Sequence, residues 1–388
     1  MAQAVAIVGT GQTECGKRSD VSYPELVHEA VTRAFEDAGI GPEDIDAVVA
    51  GSMPPAMEGV NNPHLYLAGA MGAYGKPLMR TATCGSTGIS LAHTGFYHVA
   101  SGMFDTVLVV GAEKMNEGDP QGTMATVADP FFQRPFLAGA PGIFSLQSNE
   151  WAHRYGIEEK RVRMAAAEIS VRNHNDALRN PYAHIRIRTT IEDVLTARII
   201  AYPVRLLDVC PASDGACAVI MASQEKAGKL GRNQAWIKGV GYCGEQAFFG
   251  EGDKVVWKSA INAAKSAYDQ AGISNPLKQL DVAEVYNPFT FQEMLFYECF
   301  GFCDFGKGCE LVEQGVVMPG GELPCDPSGG VLCTNPIGAT GLQRVAEVVL
   351  QVTGRAGDRQ VPGAKTGLAH AMGGLDQFNG IMIISNEL

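Results

Sequence analysis

The stretch Leu78–Ser101, LMRTATCGSTGISLAHTGFYHVAS, joins a short extended run to a helical segment through Cys84-Gly85-Ser86-Thr87-Gly88. Glycine and small side chains crowd the cysteine, as a sharp strand-to-helix turn requires where backbone must approach a ligand closely. A thiol at the start of a helix lies near unpaired N–H groups and the positive end of the macrodipole. This predicts a pKa below the unperturbed value of about 8.5 and a nucleophilic Cys84. The competing reading is a buried cysteine that packs as a small hydrophobe.

Working outward, Ala4–Gly11 (AVAIVGTG) reads as a strand buried on both faces. In Pro24–Ala38 the residues Leu26, Ala30, Val31, Ala34 and Phe35 share one helical face, and Gly39 supplies a stop. Ile45–Ser52 and Asp105–Ala112 are further buried-strand candidates. The same order returns later as a strand at Ala235–Gly244, a helix at Lys258–Ala271 stopped by Gly272, and a strand at Leu280–Asn287. The helix ends EDAGI and DQAGI set Gly39 and Gly272 233 positions apart, and the following strands start 235 apart, at Asp46 and Asp281. Two ordered matches at nearly one spacing indicate duplication. Gly338-Ala339-Thr340-Gly341, before LQRVAEVVLQV, is the second-half counterpart of the Cys84 turn, and TVLVVGA and GIMIIS close the two halves. Such alternation predicts an α/β fold whose helix-opening turns face each other across a pseudo-twofold axis, with the active site between them.

The predicted division is 1–230 and 231–388. Asn116–Lys229 breaks the β/α pattern; within it, about 116–205 is too long for a bare loop and reads as a lid with helices around Asn149–Tyr155 and Glu159–Asn173. At 388 residues, two similar halves are the default expectation. The net charge of −12 and the lack of a dense basic run argue against a nucleic-acid surface. Ten cysteines behind MAQAVAIVGTG, which lacks the features of a signal peptide, point to a reduced cytoplasmic protein. No apolar run approaches the roughly 20 residues of a membrane span.

These pieces together resemble the thiolase superfamily, in its sterol-carrier-protein-type and archaeal-type branch. The resemblance rests on Cys84-Gly85-Ser86, GAEKM at Gly111–Met115, NHNDALRNPYA at Asn173–Ala183, CPASDGACAV at Cys210–Val219, and SGG…NPIGATG from Ser328 to Gly341. It implies the five-layered αβαβα thiolase fold, coenzyme A as a substrate, a homodimeric core and a small separate partner bearing a zinc ribbon and an oligonucleotide-type barrel. It also implies that Cys84 is the nucleophile that carries an acyl group from a bulky 3-oxoacyl-CoA to CoA, with donors for the developing oxyanions and a second acid/base.

The chain departs from the family pattern in its second half. Where the sterol-carrier type has His-Asp-Cys-Phe this chain has Tyr286-Asn287-Pro288-Phe289, and where it has Gly-His-Pro this chain has Thr334-Asn335-Pro336. An asparagine donates a hydrogen bond but is no base, so Asn335 and Asn287 are expected to serve as donors. Tyr286 is expected to offer its phenol to a carbonyl oxygen or to pack beneath the site. Cys333 and His370 are the candidates for the second acid/base, against core packing and a structural hydrogen bond respectively. Arg186 and Arg188 of HIRIR, with Ser328-Gly329-Gly330, are the candidate CoA contacts, and Phe131, Phe132 and Phe136 the candidate acyl-pocket wall. Cys299, Cys303 and Cys309 lack a fourth nearby ligand, and no metal site is expected in this chain. Two other functions stay open. One is a thiolase-fold retro-aldolase using tyrosine, favoured by Tyr286 and disfavoured by Cys84; the other is a non-catalytic subunit that binds acyl-CoA.

Overall fold

The computed structural model describes residues 3–53, 57–136, 139–230, 234–246 and 252–388. Its main sheet is built from β1 (Val5–Gln12), β2 (Ala47–Gly51), β3 (Leu78–Arg80), β4 (Thr106–Lys114), β5 (Asp214–Ser223), β6 (Ala235–Gly244), β7 (Val282–Glu284), β8 (Thr366–Gly373) and β9 (Phe378–Ser385). They lie in the order β3-β2-β4-β5-β1-β6-β9-β8-β7. In each half the last strand in chain order runs antiparallel to both its neighbours, β5 in the first and β9 in the second. Cys325, bridging Ala283 of β7 in parallel, occupies the place that β3 fills beside β2. Among the described residues the two half-sheets pair through Ala6 with Trp236 and Ile7 with Ala235.

Glycines in β1 and β6 explain how the outer helices seat. A Cβ on Gly9 or Gly11 would stand 2.6 or 2.1 Å from the carbonyl oxygens of Ala34 and Ala30 in α1 (Tyr23–Ala38). Gly239 and Gly241, each 230 positions further on, meet Ala267 and Ala263 of a helix at Lys258–Ala271 in the same way, at 2.1 and 1.9 Å. Helix and strand backbones therefore touch directly in both halves. α1 starts at a capping box between Ser22 and Glu25, and both helices end at a left-handed glycine, Gly39 and Gly272.

The remaining helices of interest are α2 (Thr87–Ala100), α3 (Pro120–Ala125), α4 (Gly139–Tyr155), α5 (Glu159–Ala177), α6 (the Lys258–Ala271 helix), α7 (Thr290–Cys299) and α8 (Ile337–Val352). α2 and α8 pack on each other and on strands of both halves, forming the middle layer between the half-sheets, with α1 and α6 outside. A helix with sheet on two sides is buried nearly all round, so α8 carries buried residues along almost its whole length, and its charged Arg344 and Glu347 are paired with Glu284 and Arg359. The duplication and the five layers expected from sequence are both present. One boundary differs: Gly338–Gly341 does not precede α8 but forms its first turn, because Pro336 opens the helix and the Glu113 carboxylate accepts the Gly338 N–H at 3.0 Å.

The two central helices touch at their N-terminal turns. A Cβ on Gly88 would lie 2.3 Å from the backbone nitrogen of Leu342. Gly88→Ala is therefore expected to push the helices apart and lower stability by about 1–3 kcal/mol, read as a lower urea midpoint.

Between β4 and β5 the chain leaves the sheet and builds α3, α4 and α5, which pack largely on second-half elements. Trp151 of α4 donates its indole N–H to Glu298 at 3.1 Å, and α5 lies on α7. Cys299, Cys303 and Cys309 pack with this apolar core, Cys309 Sγ lying 3.7 Å from Met294 Sδ.

Candidate active site

The turn ahead of α2 holds Cys84 in the left-handed region, at φ 57°. A non-glycine residue pays about 1 kcal/mol for this conformation, so the surroundings must enforce it. They do so through small polar groups. The Thr87 hydroxyl donates to the Cys84 carbonyl at 2.6 Å and accepts the Thr83 N–H at 2.9 Å, while Ser86 Oγ donates to the Thr83 carbonyl at 2.7 Å. The half-buried sulfur receives the N–H groups of Gly374 and Gly85. Burial raises the thiol pKa and these two donors pull it back, leaving it above its ordinary value. The direction is opposite to that expected from the helix terminus alone, because desolvation outweighs the dipole.

Cys84 opens into a cavity of about 110 Å³, lined chiefly by apolar side chains such as Met53, Met115, Met124, Ile143, Phe144 and Phe289. Its polar wall comes from three other places. Tyr286 follows β7, Asn335 precedes α8, and Cys210 precedes β5. The Asn335 Oδ1 accepts the Thr340 hydroxyl at 2.9 Å and the Tyr286 hydroxyl at 3.4 Å. With its oxygen so engaged, Asn335 directs Nδ2 toward Cys210 Sγ, 3.2 Å away. Asn335 and Tyr286, both candidates from sequence, line the cavity. Cys210 was quoted only as the first letter of a motif, and its reach to the cavity is visible only in three dimensions.

The other sequence candidates lie elsewhere. His370 is fully buried in β8, where Nδ1 accepts the Tyr286 N–H at 3.2 Å and Nε2 faces Asn379 Oδ1 at 3.0 Å. Desolvation drives its pKa down to about 3, so it is a neutral support beneath Tyr286. Cys333 packs with Ala177 and Ala183, and burial raises its pKa steeply. Asn287 is buried as well: Nδ2 donates to Glu293 at 2.7 Å, and Oδ1 accepts the Val331 and Leu332 N–H groups at 3.0 and 3.3 Å. None of the three is among the cavity-lining residues.

Ser328-Gly329-Gly330 is an internal turn rather than a surface loop, with Ser328 Oγ donating to Glu284 at 2.8 Å and accepting from Arg344 at 2.6 Å. Arg186 is exposed and pairs with Glu14 at 2.5 Å; Arg188 is exposed on the same irregular segment. Phe131 and Phe132 are 79% and 70% exposed, facing solvent rather than the cavity, and the side chain of Phe136 lies outside the described residues.

Comparison with known proteins matches this layout. Residues 5–225 fit the family profile described as Thiolase, N-terminal domain, and residues 244–386 the one described as Thiolase C-terminal domain-like. The chain belongs to the thiolase family. It is 33% identical over 387 residues to an acetyl-CoA acetyltransferase of Methanothermobacter thermautotrophicus, covering 98% of this chain and 99% of the relative. Sterol carrier protein 2 of Oryctolagus cuniculus is 30% identical over 95% of this chain and 70% of its own length. The benzoylsuccinyl-CoA thiolase subunit BbsB of Thauera aromatica is 27% identical, over 95% of this chain and 94% of its own. Among solved structures, the Ltp2-ChsH2(DUF35) aldolase superposes with a TM-score of 0.84 at 25% identity, covering 98% of this chain and 97% of that one. Family members act on CoA substrates, and no helix among the described residues is long and apolar enough to cross a membrane.

In this thiolase the Gly374 donor sits on the β8–β9 turn, which is fastened from beneath by Asp376. That buried carboxyl accepts from Gln147 of α4 and from Gln292 of α7, the latter at 3.3 Å. Burial, aided by Glu245 nearby, raises its pKa from 3.8 to about 7. A group that keeps its proton longer when folded contributes stability fully below its unfolded pKa and loses it as pH rises through the folded one. Asp376 is therefore expected to cost stability between about pH 4 and 7, on the order of 4 kcal/mol in all. Asp376→Asn, which mimics the protonated acid, should flatten that dependence; urea midpoints of both proteins at pH 5 and 7.5 test it.

Proposed function

We propose that this chain is a CoA-dependent thiolase subunit in which Cys84 takes an acyl group from a bulky 3-oxoacyl-CoA and passes it to CoA. The observation that carries this reading is the half-buried Cys84, on a left-handed backbone and with two backbone N–H donors to its sulfur, in the wall of an apolar cavity. Its thiolate attacks the 3-oxo carbon, and the Asn335 amide stands on the cavity wall as a donor for an oxyanion. The apolar walls suit an apolar acyl group. Together with the likeness to BbsB, they favour benzoylsuccinyl-CoA as the first substrate to try, with benzoyl-CoA and succinyl-CoA as products.

The assembly we propose is a homodimeric core with a separate small zinc-ribbon and oligonucleotide-barrel partner, in the cytoplasm. β3 is an edge strand with Met79 exposed, and Tyr97 in α2 and Met103 just after it are also exposed, apolar surface that a second copy would cover. The relative named as a subunit and the aldolase solved as a pair of chains favour the partner. Size-exclusion with metal analysis after co-expression with neighbouring genes tests it; a fully active, zinc-free preparation of this chain alone would refute it.

Tyr286 in the cavity, with the likeness to an aldolase, favours a second reading, carbon–carbon cleavage without acyl-cysteine. Incubating a panel of 3-oxoacyl-CoA and 3-hydroxyacyl-CoA esters with and without free CoA separates the cases. Cleavage that requires CoA supports thiolysis, cleavage independent of CoA supports the aldolase, and binding without cleavage supports a non-catalytic subunit.

A further inference from the structure

Among the described residues, the titratable side chains that line the cavity are Cys84, Tyr286 and Cys210. A thiolase needs a second acid/base beside its nucleophile, and the choice therefore falls between Tyr286 and Cys210. Tyr286 is committed, because its hydroxyl already donates to Asn335 Oδ1. Cys210 is placed differently. Its N–H donates to the Pro288 carbonyl at 2.9 Å and Val209 bridges Phe289, which pins its backbone to the segment that carries Tyr286. Its sulfur faces the Asn335 amide N–H at 3.2 Å, and that amide is oriented by the hydroxyls of Thr340 and Tyr286. An amide N–H aimed at a sulfur favours the thiolate once it forms.

We propose that Cys210 is the second acid/base of the reaction, an inference that rests on the acyl-cysteine reading of Cys84. In the first half-reaction the Cys84 thiol gives its proton to solvent water, its thiolate forms a bond to the 3-oxo carbon, the C2–C3 bond breaks, and the departing enolate takes the Cys210 proton to leave as acyl-CoA. In the second, the Cys210 thiolate takes the proton of CoA–SH, the CoA thiolate attacks the acyl-Cys84 thioester, and the Cys84 thiolate is released. One 3-oxoacyl-CoA and one CoA give two acyl-CoA esters, with the proton returned to Cys210. Burial holds the Cys210 thiol up at about 12, so it is protonated when an acid is needed and strongly basic afterwards.

The test compares Cys84→Ala, Cys210→Ala and Cys210→Ser with the wild type, on the 3-oxoacyl-CoA that the wild type cleaves. Three quantities are read: thiolysis, exchange of deuterium from D2O into the α-carbon of the acyl-CoA product, and the alkylation rate of Cys84 by iodoacetamide. Both Cys210 variants are expected to lose thiolysis and α-exchange by roughly 10³-fold, while Cys84 alkylation stays within about twofold. The serine variant keeps the shape of the side chain, so a folded Cys210→Ser that retains exchange would overturn the proposal. So would loss of Cys84 alkylation in Cys210→Ala with full activity in Cys210→Ser, which marks a packing role. Thiolysis that survives Cys84→Ala would instead overturn the acyl-cysteine reading.

Discussion

Cys84→Ala is expected to reduce thiolysis by a factor on the order of 10⁴ or more, with the cavity otherwise intact. The size follows from the chemistry, since without the sulfur no acyl-enzyme forms and one hard displacement is no longer divided into two easier ones. Alanine removes only a half-buried sulfur, so the fold should hardly notice. The left-handed backbone at this position disfavours any non-glycine residue alike, and the hydroxyls of Thr83, Ser86 and Thr87 hold the turn independently of the sulfur. Alkylation of the wild type should be blocked by substrate and absent at this position in the variant. Unchanged thiolysis in a folded Cys84→Ala would refute acyl transfer through this residue.

The largest expected loss of stability comes from a residue with no contact to the cavity. Arg172 of α5 is fully enclosed and binds Glu293 of α7 at 2.6 Å, with Asp326 3.5 Å away. It also donates to Asn173 at 2.8 Å and to the Val317 carbonyl at 3.3 Å. Arg172→Ala would leave two carboxylates facing each other without a cation, in a site where burial already raises the Asp326 pKa. Breaking a buried pair in this way costs about 3–5 kcal/mol. By contrast Arg161→Ala, which breaks an exposed pair with Glu313, should cost under about 1 kcal/mol. Denaturant midpoints of the two variants provide the comparison, and equal losses would show that the buried network carries no special weight. A functional echo is expected too, since Glu293 holds Asn287 and Asp326 Oδ1 accepts the Val285 N–H at 2.9 Å, on either side of Tyr286.

Much of this architecture was legible in the chain because it depends on local signals. Gly39 and Gly272 stop their helices through a backbone conformation that glycine adopts freely, and the same stop at the same spacing exposes the duplication. The small residues around Cys84 are a local need as well, because the turn is built from short hydroxyls that reach their own backbone. The Cys84 turn was therefore readable from a few consecutive letters.

What surrounds that cysteine was not readable, because it is assembled from segments far apart in sequence. His370 and Cys333 have the right chemistry and the right neighbourhood in the chain. Yet the pleat of β8 turns the histidine beneath Tyr286, and the short helix before Thr334 buries the cysteine against α5. Asn287 and Asn335 look alike as replacements for histidine, but one caps a buried helix and the other faces the cavity. The sequence by itself determined the duplicated α/β halves, the Cys84 turn and the thiolase resemblance, through periodicity, turn chemistry and motif order. Only the tertiary structure decided which titratable groups reach that turn, and that burial rather than the helix terminus governs the thiol. Side-chain direction and desolvation depend on packing between the halves, which no single stretch of the chain encodes.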